Sequence, residues 1–218
     1  MSLFELPAKS IINRVVPKNA FDNYTNKQQK KQMVDLIDRI RWVNKLSLRT
    51  INLSGKEITE IQIFEIELRQ RETPSDLLKI FDRAIPYHVI FHLSFGSQSL
   101  ISTSKKHQHP VDENAAVIDW TFSSDWFENN QNIYNLRLER SLDFIFFDIC
   151  KQLSGHYNKA KSISELISFE RNVGELKKAI VKLKTNIEKC KQFNKKVQLN
   201  IELHHKIGEL ESLLREKS

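Results

Sequence analysis

Glu65 and Glu67 stand two apart in the run Ile58–Leu68, where side-chain types change from one residue to the next. A strand points successive side chains to opposite faces, so both carboxylates share a face with Ile61 and Ile63, while Gln62, Phe64, Ile66 and Leu68 share the other. Metal-dependent nucleases use acids on sheet strands in this way, because a hard cation needs oxygen ligands and an activated water. That chemistry also calls for a further acid and a nearby lysine. Here Glu60 is the other nearby acid, and Arg69 follows in register. Carboxylates facing solvent or a subunit on an ordinary strand are the simpler reading. The nuclease site is therefore kept as the alternative.

The other chemistry-bearing residues are scattered. His88 and His92 fall on one strand face and His107 and His109 lie two apart, spacings compatible with zinc, yet no cysteine or acid completes a set. No metal and no cofactor are expected. There is no Walker A motif and no Gly-x-Gly-x-x-Gly, and five glycines leave little for a phosphate-cradling loop. Cys150 sits in an apolar helix pattern, where a thiol behaves as a small hydrophobe. Ser123-Ser124-Asp125 reads more simply as a turn or helix cap than as a reactive loop. His204 and His205 fall in the tail, where an a/d neighbour would make an interface sensitive to pH.

Charge is placed unevenly. Residues 156–218 hold 14 Lys and Arg against 8 Asp and Glu, a net of +6, whereas residues 1–155 carry a net of +1. Lys177, Lys178, Lys182, Lys184, Lys189, Lys191, Lys195 and Lys196 face a single acid, Glu188, in that stretch. Such a stripe can neutralise phosphates of DNA or RNA with strong salt dependence. Its plainer use is to keep a helix face in water.

The elements that must position these groups follow from hydrophobic period. Residues 1–25 read as irregular, broken by Pro7 and Pro17. Asn26 caps a basic amphipathic helix through Met33, Leu36, Ile37 and Ile40, ending near Asn44 or Lys45. A strand at Thr50–Leu53 turns at Ser54-Gly55 into Ile58–Leu68. Thr73-Pro74-Ser75 opens a helix that stops before Pro86. Tyr87–Phe95 and Ser99–Ser104 form a hairpin about Gly96, Lys105–Asn114 is a loop, and Ala115–Phe122 is a further strand. Ser123–Phe127 then leaves the sheet. Ser141–Leu153 is an apolar helix closed by Ser154-Gly155. This order predicts an α+β domain over residues 1–155, with a mixed or antiparallel sheet and packed helices. A linker follows at 156–162.

Residues 163–218 predict a long C-terminal coiled-coil helix, opened by a Ser162/Glu165 capping box. Leu166, Phe169, Val173, Leu176, Ile180, Leu183, Ile187 and Cys190 recur at alternating three and four, the spacing of a coiled-coil seam. The rhythm slips near Cys190–Phe193 and again near Asn200–Leu203, with Phe193 and Val197 between, and resumes at Leu203, Ile207, Leu210 and Leu214. A hairpin is the rival arrangement, but no glycine or proline falls between Glu175 and Lys206, which favours a continuous helix. A helix of this length reaches about 80 Å, so its seam calls for another chain or another helix to pack against, and self-association or a partner protein is expected. Two cysteines in apolar positions suit a reducing compartment. No apolar stretch approaches the roughly 18 residues of a membrane span, and Met1–Ser10 has no signal-peptide pattern. The expected location is the cytoplasm of a prokaryote.

Several segments together resemble a prokaryotic family known as domain of unknown function 4391. They are Phe4-Glu5-Leu6-Pro7, Ile40-Arg41-Trp42 with Lys45-Leu46-Ser47, Glu60 through Leu68, Ala84-Ile85-Pro86-Tyr87, Ser123-Ser124-Asp125-Trp126, Arg140-Ser141-Leu142-Asp143 and Lys191 through Asn200. Proteins of this kind are often encoded beside helicases and DNA methyltransferases in restriction-modification or phage-defence clusters. The resemblance thus implies a DNA-linked accessory role with such a partner, and it carries over no active site. The expected function is a non-enzymatic assembly subunit, with the nuclease and a purely structural self-associating module as rivals.

Overall fold

The computed structural model describes residues 3–111, 116–131, 133–155 and 160–216, apart from the Glu216 side chain, so most of the expected linker and the position of Ala115 lie outside the described residues. The chain divides into two compact units, Met1–Leu153 and Ser154–Ser218. In the first, the element order is β1 (Ile11–Val15), α1 (Lys27–Leu36), β2 (Ile37–Ser47), α2 (Leu48–Ile51), β3 (Glu60–Leu68), α3 (Ser75–Ala84), β4 (His88–Phe95), β5 (Gln98–Gln108), β6 (Ala116–Ser123), β7 (Phe127–Glu128) and α4 (Leu142–Ser154). The strands form one mixed sheet in the order β1-β2-β3-β4-β5-β6, with β7 also on β5. Among the described residues, only the β3–β4 pair is parallel. A parallel neighbour needs a crossover, which α3 supplies.

One face of the sheet carries Ile40, Phe64, Ile66, Phe91 and Leu93, covered by Met33 and Leu36 of α1 and by Leu77, Leu78 and Phe81 of α3. Trp42 stacks on Phe64 at 6.2 Å and Phe81 meets Phe21 at 4.2 Å between ring centroids. The opposite face carries Ile61, Ile63, Ile90 and Ile101, all buried. Here Phe146 of α4 meets the His88 ring edge-on at 4.6 Å.

Several sequence expectations change. The helix capped by Asn26, whose capping box with Gln29 is present, ends at Leu36, and Ile37–Ser47 is a strand. Alternation of Arg39 and Arg41 with Ile40 and Trp42 favours pairing with β3 over another turn of helix. Thr50 belongs to a short helix ended by Asn52 in the left-handed region, φ 55°, and not to a strand. The first 25 residues contribute the edge strand β1, and Lys105–Gln108 extend β5 instead of looping. Gly96 and Gly155 take positive φ at the expected turn and helix end.

The loop before β3 is held from a distance. The Asp143 carboxylate accepts N–H bonds from Lys56, Glu57 (3.0 Å) and Ile58 (2.9 Å), and the Leu142 N–H bonds Ser54 O at 3.0 Å. A Cβ on Gly55 would fall 2.1 Å from Ile58 O. Burial pushes the Asp143 carboxyl up, but the three backbone N–H groups outweigh it and hold it below the usual carboxylate range. A depressed folded value means this contribution is present above the ordinary carboxylate pKa and fades as pH falls through the folded one. Asp143→Ala is expected to lose about 1–2 kcal/mol in urea unfolding near pH 7, discounted for partial exposure, and progressively less in acid. A pH-independent loss would refute the assignment.

The second unit holds α5 (Ile163–Lys189) and α6 (Phe193–Glu216). The expected continuous coiled-coil helix is therefore two helices, broken at Cys190–Gln192, where the three-four rhythm slips. Cys190 takes an extended backbone, φ −79° and ψ 121°, so the break needs neither glycine nor proline. The two helices pack on each other, and so short a connection makes them antiparallel. Val173, Ile180 and Leu183 are buried, while Leu176, Leu203, Ile207, Leu210 and Leu214 are half-buried. The α5–α6 contact covers part of the apolar stripe within the chain, another helix taking the place of a continuous coil's partner there. Among the described residues, no helix is long and apolar enough to cross a membrane.

Candidate functional site

The polar end of the α4-covered sheet face gathers groups from four elements. Register places Arg41 of β2 opposite Glu65 of β3, and Glu65 beside His92 of β4. Arg41 Nη2 donates to Glu65 Oε2 at 2.6 Å and reaches Glu67 Oε1 at 3.4 Å. One guanidinium thus bridges both carboxylates. His92 Nδ1 stands 3.9 Å from Glu65 Oε1, too long for a hydrogen bond. His92 and then Arg41 draw the Glu65 carboxyl below its usual range, against the upward push of burial.

On its other side His92 Nε2 lies 2.7 Å from Ser99 Oγ, and Ser99 donates to Asn129 Oδ1 at 2.6 Å. A hydroxyl has one hydrogen, so Nε2 is the donor in the first of these bonds. Asn129 is fixed in turn by its N–H to Ser97 O at 2.8 Å, beyond the β7–β5 pairing. Two cavities open here. One of about 440 Å³ is lined by Asp38, Arg41, Glu65, Glu67, Arg69 and Asn129. Another of about 1090 Å³ lies between Phe4–Pro7 and His92, Ser99 and Asn129.

The order Glu65, His92, Ser99 invites comparison with a nucleophilic triad, but the proton polarity is reversed. Ser99 is 1% exposed and its proton is committed to Asn129, so it is not poised to attack. Glu65 and Glu67 share the single positive charge of Arg41, which lies where a cation between them would bind. Among the described residues, no three His, Cys, Asp or Glu side chains are grouped to hold a metal ion.

Among the described residues, the histidines are not brought together into a metal-holding group. Burial, the largest influence, lowers His88 to about 3, so it is neutral against Phe146. His107 meets Asp119 at 2.9 Å, and His109 Nδ1 accepts the Val111 N–H at 3.3 Å. His205 pairs with Glu209 at 3.1 Å on α6. Burial raises the Cys150 thiol well above its ordinary value, consistent with an inert core residue. Ser124 Oγ accepts the Ile101 N–H at 3.0 Å, a structural role.

The lysine stripe lies on the second unit, and all eight of its residues are exposed. Among the described residues the ion pairs of that unit are His205–Glu209, Lys206–Glu209 and Arg215–Glu211, so none of the eight is paired with a described acid. In a continuous helix Lys177 and Lys196 would stand roughly 30 Å apart. The break instead brings Lys184 and Lys189, ending α5, to the same tip as Lys191, Lys195 and Lys196. Lys195 and Lys196 occupy the first turn of α6, which holds no acid. Cations there oppose the helix dipole, so helix stability does not account for them. Residues 191–198 are exposed without exception, and Phe193 is 79% exposed.

The profile described as "Domain of unknown function (DUF4391)" matches residues 4–210. The chain belongs to this family. No curated protein and no solved structure matches it. The family span takes in both the sheet cluster and the basic tip. Arg41, Ser99 and Asn129 escaped the sequence reading. The alternation of Arg39-Ile40-Arg41-Trp42 was the available signal for Arg41. No pattern in the sequence pairs Ser99 with Asn129, thirty residues apart.

Proposed function

We propose that the chain is a non-enzymatic accessory subunit that contacts nucleic acid through the basic tip of its helical hairpin. The observation that carries this reading is the set of exposed lysines, without acidic partners among the described residues, that flanks the α5–α6 break. A surface of this kind attracts phosphates, and its net positive field steers a polyanion toward it. The family resemblance extends the proposal to a cytoplasmic role in a prokaryotic restriction-modification or phage-defence system, beside a helicase or methyltransferase. The sheet cluster, with its carboxylates shared by one arginine, then serves to hold β2, β3 and β4 together.

Fluorescence anisotropy against labelled DNA and RNA across a salt series tests the reading. Affinity is expected to fall steeply between about 50 and 200 mM salt. Replacing Lys189, Lys191, Lys195 and Lys196 by alanine is expected to weaken binding on the order of a hundredfold at low salt and to flatten the log–log slope by about three to four. A flat salt response in the unaltered protein would remove nucleic acid from the account.

A further inference from the structure

We propose that the nucleic acid this tip takes is single-stranded, with Phe193 stacking on an unpaired base. The inference rests on the nucleic-acid reading above and adds the form of the ligand. Phe193 is the first residue of α6 and leaves 79% of its surface in water, whereas the α6 residues Leu203, Ile207 and Leu210 turn toward cover. The ring is therefore not part of the hairpin seam. Lys191 and Lys195 lie two residues to either side, Lys196 follows, and Lys189 ends the facing helix. Charge complementarity selects the occupant: cations around an exposed ring suit a phosphate chain whose bases are free to stack. In a duplex the base faces are already stacked on one another, and an exposed phenyl finds nothing to lie against without prying a step apart. A second copy of this tip would bring like charges together, which disfavours self-association here.

The full chain is titrated with a labelled single strand of about 20 nucleotides and with the matching duplex, at matched salt concentrations across a salt series, alongside Phe193→Ala and Phe193→Trp. The single strand is expected to bind at least about tenfold tighter than the duplex. Phe193→Ala should lose roughly ten- to a hundredfold toward the single strand with its salt slope unchanged, and Phe193→Trp should retain or gain affinity. Phe193 is exposed, so thermal melting of both variants should match the parent and separate a lost contact from lost folding. Equal affinity for both forms, or an alanine variant that binds the single strand undiminished, overturns this inference and leaves the nucleic-acid reading standing. A Phe193→Ala protein whose oligomeric state falls while its nucleic-acid affinity holds assigns the ring to protein contact and overturns it likewise. Absence of binding to either form, at low salt, overturns the parent reading and this inference with it.

Discussion

Lys106→Met is expected to cost the sheet domain about 3–5 kcal/mol, the largest loss of any single polar replacement considered, because it strands a buried carboxylate. Lys106 and Asp82 are each 2% exposed. The ammonium has three protons and three acceptors: Asp82 O at 2.7 Å, Ile85 O at 2.8 Å and Asp82 Oδ1 at 3.1 Å. Asp82 Oδ2 accepts from Ser104 Oγ at 2.6 Å. The lysine thus ties the last turn of α3 to β5 and satisfies a carbonyl that the helix end leaves open. Burial pushes the Asp82 carboxyl up and the Lys106 ammonium down, each held back by the charge of the other. Differential scanning calorimetry should show a fall on the order of 10 °C in Tm. Asp82→Asn, which keeps an acceptor and removes the charge, should cost less than Lys106→Met. A methionine variant within about 1 kcal/mol of the parent would show that the pair contributes nothing net.

Arg41→Ala is expected to destabilise the domain by about 1–3 kcal/mol near pH 7 and by much less near pH 4. Without the guanidinium, Glu65 and Glu67 face each other across one strand face with only His92 beside Glu65. In the parent, the lowered Glu65 value means its stabilising contribution is present above the ordinary carboxylate pKa and lost as pH falls through the folded value. Removing Arg41 takes away one downward influence and leaves the upward push of burial, so the variant gains relative stability as its carboxylates protonate. Urea melts at a series of pH values read this directly. Arg41→Ala combined with Glu65→Gln should recover part of the loss at neutral pH. Equal losses at both pH values would show that Arg41 acts through packing alone.

Strand β3 was legible because its alternation survives in the fold: Phe64, Ile66 and Leu68 enter the core while Glu65 and Glu67 stay on the other face. The helix at Leu142–Ser154 and the Asn26 cap were legible for the same reason, since local spacing and cap chemistry decide them. Ile37–Ser47 was not, because Ile37 and Ile40 fit both a helical stripe and a strand face, and only pairing with β1 and β3 selects the strand. The candidate sites divide along the same line. Glu65 and Glu67 were visible as a pair, but the arginine that occupies them comes from a strand some 24 residues earlier.

The amino-acid sequence by itself determined the α+β class, the family, the apolar stripes of the tail and the concentration of positive charge there. These depend on composition and on spacing within one element. Tertiary structure decided that the tail breaks at Cys190–Gln192 into two helices that pack on each other and that five of the eight stripe lysines share one tip, because which stripe covers which depends on contacts between α5 and α6 that no local pattern encodes.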